Sequence, residues 1–265
     1  MLQFSAGNFL GEKTYEIRRD GLVLSKCNYH GGLTSSWHYH ENVYLSFILN
    51  GGCMEERTKE TNEYDTGQFV FYNKGEKHNN KNYQPGSCIF NIDISDAWFR
   101  QHDVQFSDQS IVCINDPSLK ILVVRMLKEY AEERNHSFLE IESLLMQLLS
   151  SLSKKIEKPA KEPVWVNQLR DLLHDQWQEN FSLAELSRVI KIHPISISKH
   201  FPKYFQCTLG EYIRKIRIDK SLTLIKSGKE NLSGIAQTCG FADQSHFIRV
   251  FKQQTGFLPK RYMKM

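Results

Sequence analysis

The chain of 265 residues lacks any apolar run near the roughly 18 residues a membrane span needs, so no transmembrane helix is expected. Its first eleven residues hold no cationic stretch followed by an apolar one, and no secretory signal is expected. Cysteine is scarce: six residues (27, 53, 88, 113, 207 and 239) with no C-x-x-C pair. That favours reduced thiols of a cytoplasmic protein, used as small apolar residues, over disulfides or a zinc knuckle. A large excess of one charge is missing too, since 34 Lys and Arg face 30 Asp and Glu. No Ser/His/Asp order, phosphate loop or paired-carboxylate motif stands out, so the chain is expected not to be an enzyme. What is present is 40% apolar and 12% aromatic residues. This excludes a disordered polar chain, and the length suffices for two ordinary domains.

The small net charge hides a division. Residues 160–265 carry 17 basic against 9 acidic side chains, or +8, and residues 1–159 carry 17 against 21, or −4. A basic third joined to an acidic remainder suggests that one part meets a polyanion. Texture divides the chain similarly. Runs rich in β-branched and aromatic residues at 22–24, 43–49, 69–72 and 88–94 alternate with glycine-bearing turns, predicting a small β-sandwich or barrel. After Asp116-Pro117 the spacing of Leu119, Leu122, Val123, Met126 and Leu127 is helical. So is that of Leu139, Leu144, Leu145, Leu148 and Leu152. The second stripe must pack either on its own β-domain or on a second copy of the chain. Lys154 to Pro163, charged and with two prolines, is the best linker in the chain.

The rest is helical and repeats itself. Leu183, Leu186, Ser187 and Ile192 recur 49 residues later as Leu232, Ile235, Ala236 and Phe241. Ile197, Lys199, Phe201 and Tyr212 recur 50 residues later as Phe247, Arg249, Phe251 and Tyr262. Two copies of one supersecondary unit follow. In the first, Ser182 and Glu185 form a capping box opening a short helix, and His193-Pro194 starts a second. In the second copy Gly240 closes the short helix and another begins near Asp243. Each second helix has an apolar inner stripe. The outer sides carry Ile195, Ser198, Lys199 and Lys203 in one copy, and Gln244, Ser245, Ile248, Arg249 and Lys252 in the other. These are two helix-turn-helix units, at 182–205 and 231–253, with outer faces suited to a major groove of double-stranded DNA.

Residues 182–262 resemble the DNA-binding domain of the AraC/XylS family of bacterial transcription regulators. The most specific stretch is Ile235-Ala-x-x-x-Gly240-Phe241-x-Asp243-Gln244-Ser245-His246-Phe247-x-Arg249-x-Phe251-Lys252, continuing through Gly256 to Pro259-x-x-Tyr262. The resemblance implies two units joined by a long helix, here 209–225, entering successive major grooves ~34 Å apart. It places base readers at Ile195, Ser198 and Lys199, and at Gln244, Ser245 and Arg249. It also implies RNA polymerase as a partner. Two departures stand out: Pro202 inside the first recognition helix, which should kink it, and Lys191 where a turn glycine is usual.

In the acidic half, Gly32-(x5)-His38-x-His40-(x3)-Tyr44-(x6)-Gly51 follows the first cupin motif, with Tyr44 in place of the usual glutamate. Gly67-(x5)-Asn73-x-Gly75-(x2)-His78-(x3)-Asn82 follows the second, with Asn73 replacing proline. Residues 14–95 therefore resemble a cupin barrel, the usual sensor of AraC-type regulators. Three imidazoles from His38, His40 and His78 would suit a divalent metal such as Zn²⁺, Fe²⁺ or Ni²⁺. The missing carboxylate leaves the set incomplete, so the preferred reading needs no cofactor and gives the histidines structural or effector-contacting roles. Trp37, Tyr44 and Tyr72 join His38, His40 and His78 as expected effector contacts.

The expected fold is α+β: a cupin-like barrel over 1–107, a helical dimerisation and connector segment over 108–158, and an all-α DNA-binding domain over 159–265. The expected function is that of a homodimeric regulator whose barrel senses a small molecule. The alternatives are a metal-dependent cupin enzyme of dioxygenase or isomerase type fused to a DNA-binding module, and an architectural DNA binder with no effector.

Overall fold

The computed structural model describes residues 1–105, 116–132, 137–157 and 162–265. The chain divides into two compact units, Met1–Ser153 and Lys154–Met265. Cys113 and residues 158–161 of the expected linker lie outside the described residues.

The first unit holds two five-stranded sheets. One has the order β2 (Glu12–Arg19), β3 (Leu22–Tyr29), β10 (Ser87–Ile94), β5 (Val43–Asn50), β8 (Phe69–Tyr72), all antiparallel. All of its strands except β2 are announced by the apolar runs. All eight residues of β10 are buried, because both of its faces are covered. Ile89 and Asn91 line an internal cavity, while Phe90 on the other face meets the Tyr130 ring at 5.0 Å. The second sheet runs β1 (Leu2–Phe4), β4 (His38–His40), β9 (His78–Lys81), β6 (Gly52–Arg57), β7 (Thr61–Asp65). Here β1 pairs parallel with β4, and His38 lies opposite His78 in the β4–β9 register. Polar residues buried on this sheet (His38, His40, Glu55, Arg57, Asn79, Asn80) give the interior an unusual chemistry.

Helices α1 (Asp96–Gln101), α2 (Pro117–Glu132) and α3 (Ser137–Glu157) follow the sheets. Ser95 caps α1, accepting from the Trp98 amide. Trp98 is fully buried, and its indole N–H donates to Glu142 of α3 at 3.4 Å. The α3 stripe (Ile141, Leu144, Leu145, Leu148, Leu149, Leu152) is buried in the single chain. Its polar side, Ser143, Gln147 and Ser150, is exposed together with Leu139.

The second unit is helical: α4 (Val164–Asp175), α5 (Leu183–Ile190), α6 (Pro194–Phe205), α7 (Leu209–Ser227), α8 (Leu232–Thr238), α9 (Gln244–Thr255) and α10 (Pro259–Met263). Leu169, Leu186, Ile197, Phe201 and Ile216 form the core around α5 and α6, while Phe247, Phe251, Phe257 and Tyr262 are fully buried around α9. Among the described residues no helix is long and apolar enough to cross a membrane.

Candidate functional site

The internal repeat extends to the backbone. Ser182 caps α5 with a reciprocal box to Glu185, and Asn231, 49 residues on, caps α8 through the Gly234 amide at 2.9 Å. His193 caps α6, and Asp243, 50 residues on, caps α9 by accepting from the His246 amide at 2.7 Å. The turns correspond too. Lys191 and Gly240 both take the left-handed conformation, with φ of 56° and 68°. So do the helix-ending residues Gln206 and Gly256. Each cap satisfies amides or carbonyls that a helix end leaves orphaned, which fixes where each short helix begins or ends. Helix α7 carries its own capping box, Thr208 with Glu211, and ends at Gly228.

The buried stripes, Ile197, Phe201 and Phe205 on α6 and Phe247, Val250 and Phe251 on α9, fix which sides face outward. Those sides hold every expected DNA contact. Ile195, Ser198, Lys199 and Lys203 are exposed on α6; Gln244, Ser245, Arg249 and Lys252 are exposed on α9, and Ile248 is half-buried. Ile195 is 69% exposed, an apolar side chain that no core requires there. Helix α6 continues across Pro202 to Phe205 without interruption. Proline there removes the amide that would bond the Ser198 carbonyl, and Ser198 is exposed to water that can replace it.

One residue that the pattern of charges does not single out is central here. Arg217, in the middle of α7, is 7% exposed. Its Nε donates to the Trp177 carbonyl at 3.1 Å, and Nη2 donates to Glu179 O and Asn180 Oδ1, each at 2.9 Å, and to Gln178 O at 3.3 Å. On the other side Nη1 donates to the Gly240 carbonyl at 2.7 Å.

In the first unit, ring nitrogens of His38, His40 and His78 lie within 4.8 Å of one another, and all three residues are buried. The Nδ1 atoms of His38 and His78 sit 2.9 Å from the carbonyls of Ser36 and Glu76. A carbonyl only accepts, so Nδ1 carries the proton and Nε2 keeps its lone pair. The Tyr44 hydroxyl donates to Nε2 of His78 at 3.0 Å. Nδ1 of His40 is buried with no partner among the described residues. Burial pushes the His40 pKa down to about 2 and that of His78 to about 3, and lowers that of His38, so all three are neutral. Beside them the buried Glu55 carboxylate accepts from Arg57 Nε at 2.6 Å, the Tyr72 hydroxyl at 2.5 Å and Asn80 Nδ2 at 3.3 Å. Arg57 in turn pairs with Glu76.

His38, His40, Tyr44 and Tyr72 line a small, partly open cavity of about 30 Å³ together with Phe9 and Tyr29. That is the space of about one water molecule. His78 stands beside it, with its ring 4.3 Å from that of His38 and 5.0 Å from Tyr72. Trp37 does not line it; its carbonyl accepts from the Leu2 amide at 3.2 Å. An open groove of about 360 Å³, bordered by Gln3, Tyr39, Glu41, Asn42 and Lys74, shares His40 with the cavity.

Residues 186–265 match the family described as "Helix-turn-helix domain". The transcriptional activator RhaR of Mannheimia succiniciproducens is 22% identical over 242 residues, covering 85% of this chain and 86% of that protein. The activator RhaS of an Enterobacter species is 26% identical over 141 residues, covering 52% of this chain and 51% of that one. Among solved structures, ToxT of Vibrio cholerae O395 shares 17% identity with a TM-score of 0.40, covering 93% of this chain and 98% of that one. The match takes in the whole second helix pair and all but the first three residues of the first, and the chain is a DNA-binding transcription regulator whose helix-turn-helix domain occupies residues 186–265.

Proposed function

We propose that α6 and α9 are the two base-reading helices and that the β-unit senses a small molecule whose binding changes how the DNA-binding unit is presented. The observation that carries the first half is the two-sidedness of both helices: apolar stripes buried, and Ile195, Ser198, Lys199, Lys203, Gln244, Ser245, Ile248, Arg249 and Lys252 on the opposite sides. Arg249 can reach guanine and Gln244 adenine bidentately, and Ile195 can meet a thymine methyl. Lys203 and Lys252 suit phosphate contacts. Anisotropy of the full chain on promoter duplexes tests the reading. Binding should weaken steeply as salt rises, because each neutralised phosphate releases counterions. Absent or salt-insensitive binding on every duplex would sink it.

For the effector, size decides between the two openings in the β-unit. A space of about 30 Å³ is too small for an organic molecule, whereas the groove of about 360 Å³ reaches the range of small-molecule sites. The effector therefore enters at the groove and touches His40, with His38, His78, Tyr44 and Tyr72 behind it. A thermal-shift screen of the full chain reads out a binder directly.

A second reading adds a divalent metal on His38, His40 and His78. The donors fit: three neutral imidazoles converge, two of them held by carbonyls on their far nitrogens, as metal-ligating histidines usually are. The proton that Tyr44 gives to His78 occupies one of the required lone pairs, so a metal would have to displace it. Bound there, the metal would supply a Lewis-acidic anchor for an effector oxygen or nitrogen. Elemental analysis of protein purified without added metal tests this. Tyr44→Phe, which frees His78 Nε2, is expected to tighten Zn²⁺ binding; unchanged or weaker binding would count against the metal.

Homodimerisation and contact with RNA polymerase belong to the same proposal. Because the apolar stripe of α3 is already buried, a second copy would have to meet its other side, Leu139, Ser143, Gln147 and Ser150. Sedimentation of the wild type and Leu139→Glu tests that face.

A further inference from the structure

Five hydrogen bonds converge on one buried guanidinium, and they come from both halves of the DNA-binding unit. Trp177, Gln178, Glu179 and Asn180 lie in the segment between α4 and α5, which leads into the first helix-turn-helix. Gly240 is the turn of the second. All five partners are uncharged oxygens, so the cation is met by carbonyl dipoles near the C-terminal end of α4. The fit is close: a Cβ on Gly240 would sit 2.8 Å from the guanidinium carbon and 2.8 Å from the Gln178 carbonyl oxygen. Glycine is thus required there twice, by its positive φ and by what packs against it.

We propose that Arg217 is a positioning residue that holds the two helix-turn-helix units at a set separation and angle, so that the chain measures the spacing between two DNA half-sites. A rigid pair gains affinity from its second half-site only where geometry allows both to engage, whereas a loose pair tolerates many spacings at lower gain. Lysine keeps the charge but, as a single ammonium on an unbranched stem, cannot span from Trp177 O to Gly240 O. The proposal rests on the reading of both helices as base readers.

The test uses the full chain and the duplex that the wild type enriches from a random-sequence pool, plus versions with one or two base pairs inserted between half-sites and one with a single half-site. Each inserted pair moves the second half-site by about 3.4 Å and turns it by about 35°. For the wild type each insertion should cost roughly tenfold or more in affinity. Arg217→Lys should bind the original duplex about tenfold more weakly, lose at most about threefold on insertion, and match the wild type on the single half-site. Asn180→Ala, which removes one oxygen from the first side, should move the same way by less, and serves if the lysine variant does not fold. A variant that keeps the full spacing penalty, or weakens single half-site binding as much as the pair, overturns the positioning role and leaves Arg217 as ordinary scaffolding. If the wild type enriches no duplex, the base-reading assignment itself fails and this one with it.

Discussion

Lys191 holds φ 56° and ψ 36° at the turn between α5 and α6. In that conformation a Cβ crowds the following carbonyl oxygen, at a cost of roughly 1–2 kcal/mol. Its side chain is exposed, so a substitution there changes little else. Glycine removes the crowding but loses more freedom on folding, which takes back about 0.4–1 kcal/mol. Lys191→Gly is therefore expected to raise stability by ~0.5–1 kcal/mol, or roughly 2–6 °C for a unit of this size. Lys191→Ala keeps the Cβ and serves as the control, expected to stay within ~0.5 kcal/mol of the wild type. Scanning calorimetry of the full chain measures the shift, and hydrogen exchange over residues 183–205 assigns it to the first helix pair. A glycine variant no more stable than the alanine variant would show that the turn carries no such strain. Gln206, with φ 57°, provides a sharper comparison. Its Nε2 donates to the Lys203 carbonyl at 2.9 Å, a bond worth about 1 kcal/mol, so Gln206→Gly should come out near neutral.

Arg249→Ala is expected to cost ~1–3 kcal/mol on the duplex the wild type selects and little on random DNA; equal losses on both would make Arg249 a phosphate contact. The three buried histidines of the β-unit bear on pH. Their folded pKa values lie below the ordinary 6.5, so the unfolded chain binds more protons in acid. Their neutral burial contributes fully above pH ~6.5 and is lost progressively as pH falls toward the depressed values, about 2 kcal/mol for each of His40 and His78 by pH 5. Urea midpoints at pH 7 and 5 in chelator should differ accordingly, and equal midpoints would mean that protons reach these rings in the folded state. Leu145→Ala, at a fully buried position of α3, should cost ~2.7–5 kcal/mol. A loss below ~1 kcal/mol would indicate that the stripe is not packed in solution.

The strands and helices differ in how visible they are. β5, β8 and β10 announce themselves as runs rich in apolar residues because β-strands covered on both faces need them. β6, β7 and β9 read GCMEER, TNEYD and HNNK, and nothing in their hydropathy marks a strand. They are held by ladder bonds and by a buried polar network, Glu55 with Arg57, Tyr72 and Asn80, whose members lie far apart in sequence. The caps of the helix pairs are local chemistry, and so Ser182, Asp243 and Gly240 were legible. Arg217 was not, because in Ile-Arg-Lys-Ile-Arg-Ile-Asp-Lys it resembles its solvated neighbours, and only the fold brings residues 177–180 and 240 to it. The same holds for the size of the cavity beside the histidines. Spacing predicts that three histidines converge, and they do so on the paired strands β4 and β9, but no pattern in the sequence states that tyrosine rings such as Tyr44 and Tyr72, stacked 4.2 Å apart, fill the space beside them.

The two helix pairs are similar but not interchangeable in one dimension. Three residues join α5 to α6, and five join α8 to α9. A newly made chain carrying two near-copies of one module risks wrong partnering, with the first helix of one copy docking on the second helix of the other. Connections of unequal length, one closed by lysine and the other by glycine against a guanidinium, make the crossed pairings geometrically different from the true ones.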